Sequence, residues 1–228
     1  MSKKVVITGT SRGIGLALVK KFAQNGFEVL ALSRNESVCK NLALANVSTF
    51  CFDLGKENAY QRLEEFVQNH WGGEVDILIN NAGKLVNKPF TEIQQSELIE
   101  VYQTNVFGVF KTIQTLVKYM KKESHVVSIS SIGGIQGSVK FAGLSAYSSS
   151  KAALINLTEM LAEEYKEAGP VFNCLALGAV QTEMLEEAFP GYQAHISAEE
   201  MANYIYDFSL NGQQYYNGKV LQVSNSTP

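Results

Sequence analysis

The sequence predicts an α/β fold: a single domain built on a seven-stranded, doubly wound parallel sheet flanked by helices on both faces. Three observations predict it. Short β-rich runs alternate with longer helix-like segments from end to end. Several of the runs are apolar without a gap, as in strands covered on both faces. No composition shift, low-complexity run or internal repeat marks a boundary within the 228 residues, and only four prolines interrupt them. Such alternation implies right-handed βαβ crossovers, and a chain of this length buries a large core without staples.

The first run, Lys4–Thr8, holds Val5-Val6-Ile7 and feeds an amphipathic helix over Gly13–Asn25 through a glycine-rich turn. A second strand is predicted at Glu28–Ser33, with a helix over Ser37–Ala45. Val47–Phe52 is the third strand and Glu57–His70 its helix. Val75–Asn80 is the fourth, followed by one long helix over Glu97–Lys122. His125–Ser130 precedes a helix over Ala146–Glu167 that continues through Leu154, Leu157 and Leu161. Val171–Ala176, a helix over Ala198–Leu210 and the strand Lys219–Val223 complete the pattern.

Composition narrows the function classes. The chain is 46% hydrophobic and 18% charged, an ordinary globular balance. A formal net charge of -3 gives no ground for nucleic acid or an anionic membrane as a partner. Cys39, Cys51 and Cys174 form no C-x-x-C pair, against a disulfide framework or a zinc site, and read as small buried apolar residues in a reducing cytosol. The apolar run after Met-Ser-Lys-Lys is too short for a signal segment or a membrane span, so the protein reads as cytoplasmic.

A doubly wound sheet binds ligands outside the carboxyl ends of its strands. The unusual residues fall there: Gly9 to Gly15, Asn80 to Gly83 and Ser130 to Gly134. The first of these turns reads Thr8-Gly9-Thr10-Ser11-Arg12-Gly13-Ile14-Gly15, with G-x-x-x-G-x-G spacing. Glycines permit a tight turn and a close approach to a pyrophosphate, and the following helix offers its N-terminal N–H groups to the anion. The second strand ends Leu32-Ser33-Arg34-Asn35, with no carboxylate before Glu36. Arg34 and Arg12 therefore suit the 2′-phosphate of NADP(H), which arginine binds through charge-assisted hydrogen bonds. The alternative for Arg34 is a solvated loop charge. Asp53 reads equally as an acceptor for an adenine amino group or as a helix cap before Lys56.

Tyr147-Ser148-Ser149-Ser150-Lys151 opens a helix, and positions one turn apart share a face. A free tyrosine titrates near ~10, high for acid–base work at neutrality; an adjacent cation favours the phenolate. Tyr-x-x-x-Lys alone is a common chance pattern. Together with Gly9/Gly13/Gly15, Asn80-Asn81-Ala82-Gly83, Asn105 and Ser130-Ser131, it resembles the short-chain dehydrogenase/reductase family, with a Rossmann fold, from about Lys3 to Val223.

The resemblance implies an NADP(H)-dependent oxidoreductase acting on a small carbonyl or alcohol. Tyr147 would exchange a proton with the carbonyl oxygen, and Ser131, rather than Ser130, would polarise that oxygen. Lys151 would bind the nicotinamide ribose and lower the pKa of Tyr147. Asn105 would hold a water linking Lys151 to solvent. The implied cofactor set is Gly9, Ser11, Arg12, Gly13, Ile14, Gly15, Ser33, Arg34, Asp53, Leu54, Asn81, Ala82, Gly83, Tyr147, Lys151, Gly178, Val180 and Thr182, with no metal. Asn80 would hold the central sheet, and Asn81 is mainly structural.

The sequence departs from the family pattern in two places. Leu177 stands where a proline is usual before Gly178, which would loosen that turn. Ser131 and Tyr147 are 16 positions apart, longer than usual, with the extra residues around Gly137 to Gly143 in the pocket wall. A short lid, about 183–196, offers Met184, Leu185, Phe189 and Tyr192 as an apolar cover, or as the packing face of a short helix. His195 nearby reads as structural.

Two further functions compete. A 3-oxoacyl-acyl-carrier-protein reductase would carry basic docking residues; one position matches Lys122, another falls on Ala168. A catalytically idle NADP-binding regulator would share the fold, but such members lose Tyr or Lys, and both are present. The long helices carry apolar residues on more than one face (Val101, Phe107, Phe110, Leu116; Leu154, Leu157, Leu161), and the resemblance implies a homodimer or homotetramer.

Overall fold

Period-2 sorting of the strands builds the fold. A computed structural model describes residues 2–224. Its main sheet has seven strands: β1 (Lys4–Thr8), β2 (Glu28–Ser33), β3 (Val47–Cys51), β4 (Ile77–Asn80), β5 (His125–Ser131), β6 (Val171–Leu177) and, after two short strands given below, β9 (Lys219–Val223). The order is β3-β2-β1-β4-β5-β6-β9 and every pairing is parallel. Successive strand side chains point to opposite faces. Val5, Ile7, Val29 and Ala31 therefore face one core, with Phe22 and Val19 of α1 (Gly13–Gln24) and Met201 and Ile205 of α8 (Ala198–Asn211). Val6, Leu30 and Leu32 face the other, with Leu63 of α3 (Glu57–Trp71), Ile113 of α5 (Gly108–Leu116) and Leu154 of α6 (Ser145–Glu164). The strand order reverses between β1 and β4, which opens the ligand crevice at their carboxyl ends.

Several boundaries differ from the sequence reading. The helix α2 is a single turn, Ser37–Lys40, because the chain turns at once and Ala43 takes a left-handed φ of 50°. Val75 is outside β4; its N–H bonds Tyr119 O at 2.9 Å instead. The long helix expected over Glu97–Lys122 is four pieces: α4 (Gln95–Tyr102), a π-turn over Gln103–Phe107, α5, and a 3-10 turn over Val117–Tyr119. Two local causes act at its break. Asn105 spends its side chain on the backbone of Lys84, and Gly108 lies so close to Leu54 that a Cβ there would meet Leu54 Cβ at 2.7 Å. Of the apolar residues read as facing two ways, Val101, Leu116 and Leu154 are in the core, whereas Phe107 and Phe110 point outward. Cys51 is exposed, contrary to expectation, since the edge strand β3 leaves its outer face open; Cys39 and Cys174 are buried.

The lid is more structured than a loop with a short helix. Its helix α7 (Glu183–Ala188) sits between β7 (Val180–Gln181) and β8 (Ile196–Ser197), which pair in parallel and clamp the base. Ala194 N donates to Gln181 Oε1 at 2.8 Å, closing the excursion. Leu177 does not loosen its turn: it is buried and paired with both Ser131 and Val223, extending β6. No helix among the described residues is long and apolar enough to cross a membrane.

At the amino end of the sheet, His125 is buried between Ser209 O, 3.1 Å from Nδ1, and Asn173 Nδ2, 3.0 Å from Nε2. A neutral ring donating at Nδ1 and accepting at Nε2 satisfies both. Burial pushes its pKa down to about 4 from 6.5. Between those values the unfolded chain binds a proton that the folded chain refuses, so stability falls as pH drops from 6.5 toward 4. We expect a loss on the order of 3 kcal/mol over that window, measured by urea titration at stepped pH. His125→Gln should be less stable at pH 7 but show a flatter acid limb.

Candidate active site

The site assembles where β1, β4 and β5 end and where α1 and α6 begin. Asn81 ties the first two strands: its Nδ2 donates to Thr8 O and Gly9 O, each at 3.1 Å, and the backbone N–H groups of Asn81 and Ala82 reach Thr8 Oγ1 at 3.2 Å. Gly9 has φ 75°, and a Cβ on it would stand 2.6 Å from Ala82 Cα. A Cβ on Gly15 would stand 2.1 Å from Gly9 O. Glycine is therefore required at both positions for the loop to close on itself. Asn80 plays a different part from the one expected. It is buried with neither side-chain polar atom hydrogen-bonded to protein, so Asn81 is the asparagine whose side chain joins the strands.

The catalytic candidates converge. Ser131, the last residue of β5, accepts a hydrogen bond from Gly133 N at 3.3 Å, and its hydroxyl is close enough to the Tyr147 phenol to pull the phenol's pKa down. Ser130 points the other way and donates to Lys151 O at 2.9 Å. Tyr147 and Lys151 share a face of α6, with Lys151 Nζ 5.7 Å from the Tyr147 ring centre and donating to Ile129 O at 2.8 Å. Gly133 and Gly134 let α6 press on the turn after β5: a Cβ on Gly134 would meet the Lys151 carbonyl carbon at 2.8 Å.

Asn105 is fully buried. Its Oδ1 accepts from Lys84 N at 2.7 Å, and its Nδ2 donates to Lys84 O and Ser150 Oγ, both at 2.9 Å. Ser150 in turn donates to Tyr147 O at 2.6 Å. Ser150 is thus the joint between Asn105 and the catalytic helix. Nothing in the Ser148-Ser149-Ser150 run distinguishes it by sequence.

Burial dominates the electrostatics. It pushes the Tyr147 phenol up to about 12, against a downward pull from Ser131. It pushes Lys151 down to about 8, against a weak opposing influence from the buried Cys174. The influences on the Tyr147 phenol are burial, which raises it, and Ser131, which lowers it; Lys151 gives its ammonium to Ile129 O instead.

Other expected residues are distributed around the crevice. Ser33 Oγ is spent on Asn35 O at 2.8 Å, and Arg34 is exposed beside it. Asp53 does not cap α3, whose cap is Lys56; its Oδ1 accepts from Gly55 N at 2.9 Å. Leu54 O receives Tyr60 Oη at 2.7 Å and Gln103 Nε2 at 3.1 Å, locking that loop to the π-turn. Ser11 and Ile14 are half-buried in the glycine loop. Gly178 packs on Ser224, and Val180 is buried in β7. Thr182 caps α7 through Leu185 N at 3.3 Å, and its Cγ2 lies 3.3 Å from the point a Cβ on Gly13 would occupy. Met184 of the lid faces inward: its methyl lies 3.9 Å from the corresponding point on Gly83, which is also 3.6 Å from Lys151 Nζ. Tyr192 and His195 point outward. Sequence reasoning missed two lid acids, Glu183 and Glu187, which reach the glycine loop; their one-turn spacing on α7 was the available signal.

The family model for short chain dehydrogenases matches residues 3–193. The chain belongs to that family. Among its relatives is the 3-oxoacyl-[acyl-carrier-protein] reductase FabG of Aquifex aeolicus, 30% identical over 97% of this chain and 96% of that protein. Another is the NADPH-dependent 1-acyldihydroxyacetone phosphate reductase of Schizosaccharomyces pombe, 32% identical over 80% of this chain and 61% of that one. The solved structure of ElxO with NADP bound superposes with a TM-score of 0.84 at 27% identity, covering 98% of this chain and 97% of that one. As a short-chain dehydrogenase, the protein is an oxidoreductase that uses a nicotinamide cofactor.

The glycine loop fits the phosphates of such a cofactor. The first turn of α1 has no side-chain cap and no acidic residue, so its N–H groups are left for an anion. The chain's own carboxylates already approach it: Glu183 Oε2 lies 3.5 Å from the Gly13 Cβ point, and Glu187 pairs with Arg12.

Lys151 makes the site's cost measurable. Its folded pKa of about 8 lies below the ordinary 10.5, so below about pH 8 Lys151 is an ammonium and the full cost of burying it is carried by the folded chain. As pH rises from there to 10.5, the unfolded chain holds a proton the folded chain has released, and stability increases. We expect a gain on the order of 3 kcal/mol across that window, absent from Lys151→Met, when the two proteins are unfolded in urea at stepped pH.

Proposed function

We propose that this short-chain dehydrogenase reduces a ketone or aldehyde to the alcohol with NADPH, Tyr147 donating the proton, and that it works in the cytoplasm as a homodimer or homotetramer. The observation that carries the reading is the Tyr147 phenol, kept protonated by burial with the Ser131 hydroxyl against it and Lys151 on the same helix face. A proton donor is what reduction requires of that position. When bound, NADPH supplies the hydride to the carbonyl carbon. Ser131 orients and polarises the carbonyl oxygen, Tyr147 passes its phenolic proton to that oxygen, and Lys151, an ammonium at pH 7 made more acidic by burial, returns a proton to Tyr147 and is reprotonated from solvent. Asn105 and Ser150 hold the backbone beneath them. The choice of NADP(H) is supported by Arg12 and Arg34, by the absence of a carboxylate at the end of β2, and by the engagement of Glu36 with Lys40 at 2.8 Å. The NADPH-dependent reductase of Schizosaccharomyces pombe and NADP-bound ElxO point the same way.

A second reading, reduction of 3-oxoacyl thioesters on an acyl carrier protein, is favoured by the FabG relatives. The docking patch it needs is half present: Lys122 is exposed, but Ala168 brings no charge. The assay that decides follows NADPH oxidation against ketones, aldehydes, quinones and acetoacetyl thioesters. We expect turnover on small carbonyls; turnover confined to the thioesters would select the second reading. Tyr147→Phe should lower the rate about a hundred- to ten-thousand-fold while calorimetric NADPH binding persists. An unchanged rate would remove Tyr147 as the acid, and no turnover in any form would favour an idle binding protein.

The oligomer is supported by Phe107 and Phe110, 54% and 48% exposed, which flank a groove of about 270 Å³ lined also by Leu54 and Gln103. Exposed apolar residues grouped in this way mark contact surfaces. Light scattering at micromolar concentration should give two or four times the 25.0 kDa chain mass, and Phe107→Asp should shift it downward. A 25.0 kDa particle for the parent protein would overturn this.

A further inference from the structure

Arg12 rises from the glycine loop at the start of α1 and is met by the lid. Its guanidinium binds Glu187 of α7 in bidentate fashion, Nη2 donating to Oε2 at 2.9 Å and Nη1 donating to Oε1. Glu183 lies one turn earlier on the same helix, against Gly13. The placement follows from how the lid is closed. The β7–β8 pair fixes its base, and Thr182 starts α7 directly beside Gly13. The lid therefore delivers two carboxylates to an uncapped helix N-terminus, which attracts anions. Arg34, by contrast, enters no ion pair among the described residues. Of the two arginines suited to a 2′-phosphate, one is already committed to an internal anion.

We propose that Glu187 is a specificity-determining residue for the cofactor: an internal anion that holds Arg12 and competes with the 2′-phosphate for it. The inference rests on the NADP(H) reading above. A guanidinium offers its planar fork to one bidentate oxyanion at a time. NAD(H) lacks the 2′-phosphate and leaves the Arg12–Glu187 pair in place, whereas NADP(H) has to draw Arg12 away. The cost falls on one cofactor only, so it acts on discrimination. Arg12 and Glu187 are 44% and 62% exposed, and water screening limits the competition to a few-fold change.

The test is calorimetric titration of the full chain with NADP+ and with NAD+, using the parent protein, Glu187→Gln, Arg12→Ala and the double variant. Glu187→Gln should tighten NADP+ about two- to five-fold and leave NAD+ within error. In the Arg12→Ala background the same substitution should do nothing. No change for NADP+, or equal tightening of both cofactors, overturns the inference. If Arg12→Ala weakens NADP+ selectively while Glu187→Gln is silent, the inference alone fails. If Arg12→Ala does not weaken NADP+ relative to NAD+, the NADP(H) role of Arg12 fails, and the inference with it.

Discussion

Side chains are excluded where β1 turns into α1, and the rest of the site depends on that exclusion. Gly9 lies against Ala82, Gly15 against Gly9 O, and Asn81 closes the gap with two hydrogen bonds to Thr8 and Gly9. These contacts join β1 to the end of β4 at the point where strand order reverses. They leave the first N–H groups of α1 facing the crevice, with no side chain hydrogen-bonded to them as a cap. A larger residue at Gly9 or Gly15 would separate the two strand ends, so anion site and central sheet are one structure.

The second half of the site is built on burial. The α6 helix presses on Gly133 and Gly134, which brings Lys151 under β5 and Tyr147 beside Ser131. A lysine buried in this way is held by two backbone contacts, Ile129 O on its ammonium and Ser130 Oγ on its carbonyl. The consequence runs against simple pairing logic. Desolvation moves phenol and ammonium toward their neutral forms, and the neutral phenol is the form that can donate a proton. The helix break at Asn105 belongs to the same construction. It trades helical hydrogen bonds for a side chain that grips Lys84 and Ser150, a common use of π-turns near functional sites.

The lid links the two halves. Closed at its base by β7 and β8, it sets Met184 over Gly83 and the lid acids over the glycine loop. An apolar face toward the reacting groups and an acidic face toward the phosphate site come from one short helix, because its residues one turn apart share a side.

Much of this was legible in the sequence. The inner strands of the main sheet were visible as apolar runs, because strands covered on both faces have no polar side to interrupt them, and the edge strands β3 and β9 were visible from their place in the strand–helix alternation. Ser131, Tyr147, Lys151 and the glycines were legible because they sit at fixed offsets from strand ends, and those offsets are local. What the sequence alone determined was therefore the fold, the family and the set of groups in the crevice. The tertiary structure decided how those groups are engaged. Arg12 meets Glu187 across 175 residues, and Asn105 meets Ser150 across 45. It also set the protonation of Tyr147 and Lys151, which depends on how much water the surrounding elements exclude. Neither long-range partnership nor desolvation has a period along the chain; both arise only when crossovers bring distant segments to the same strand ends.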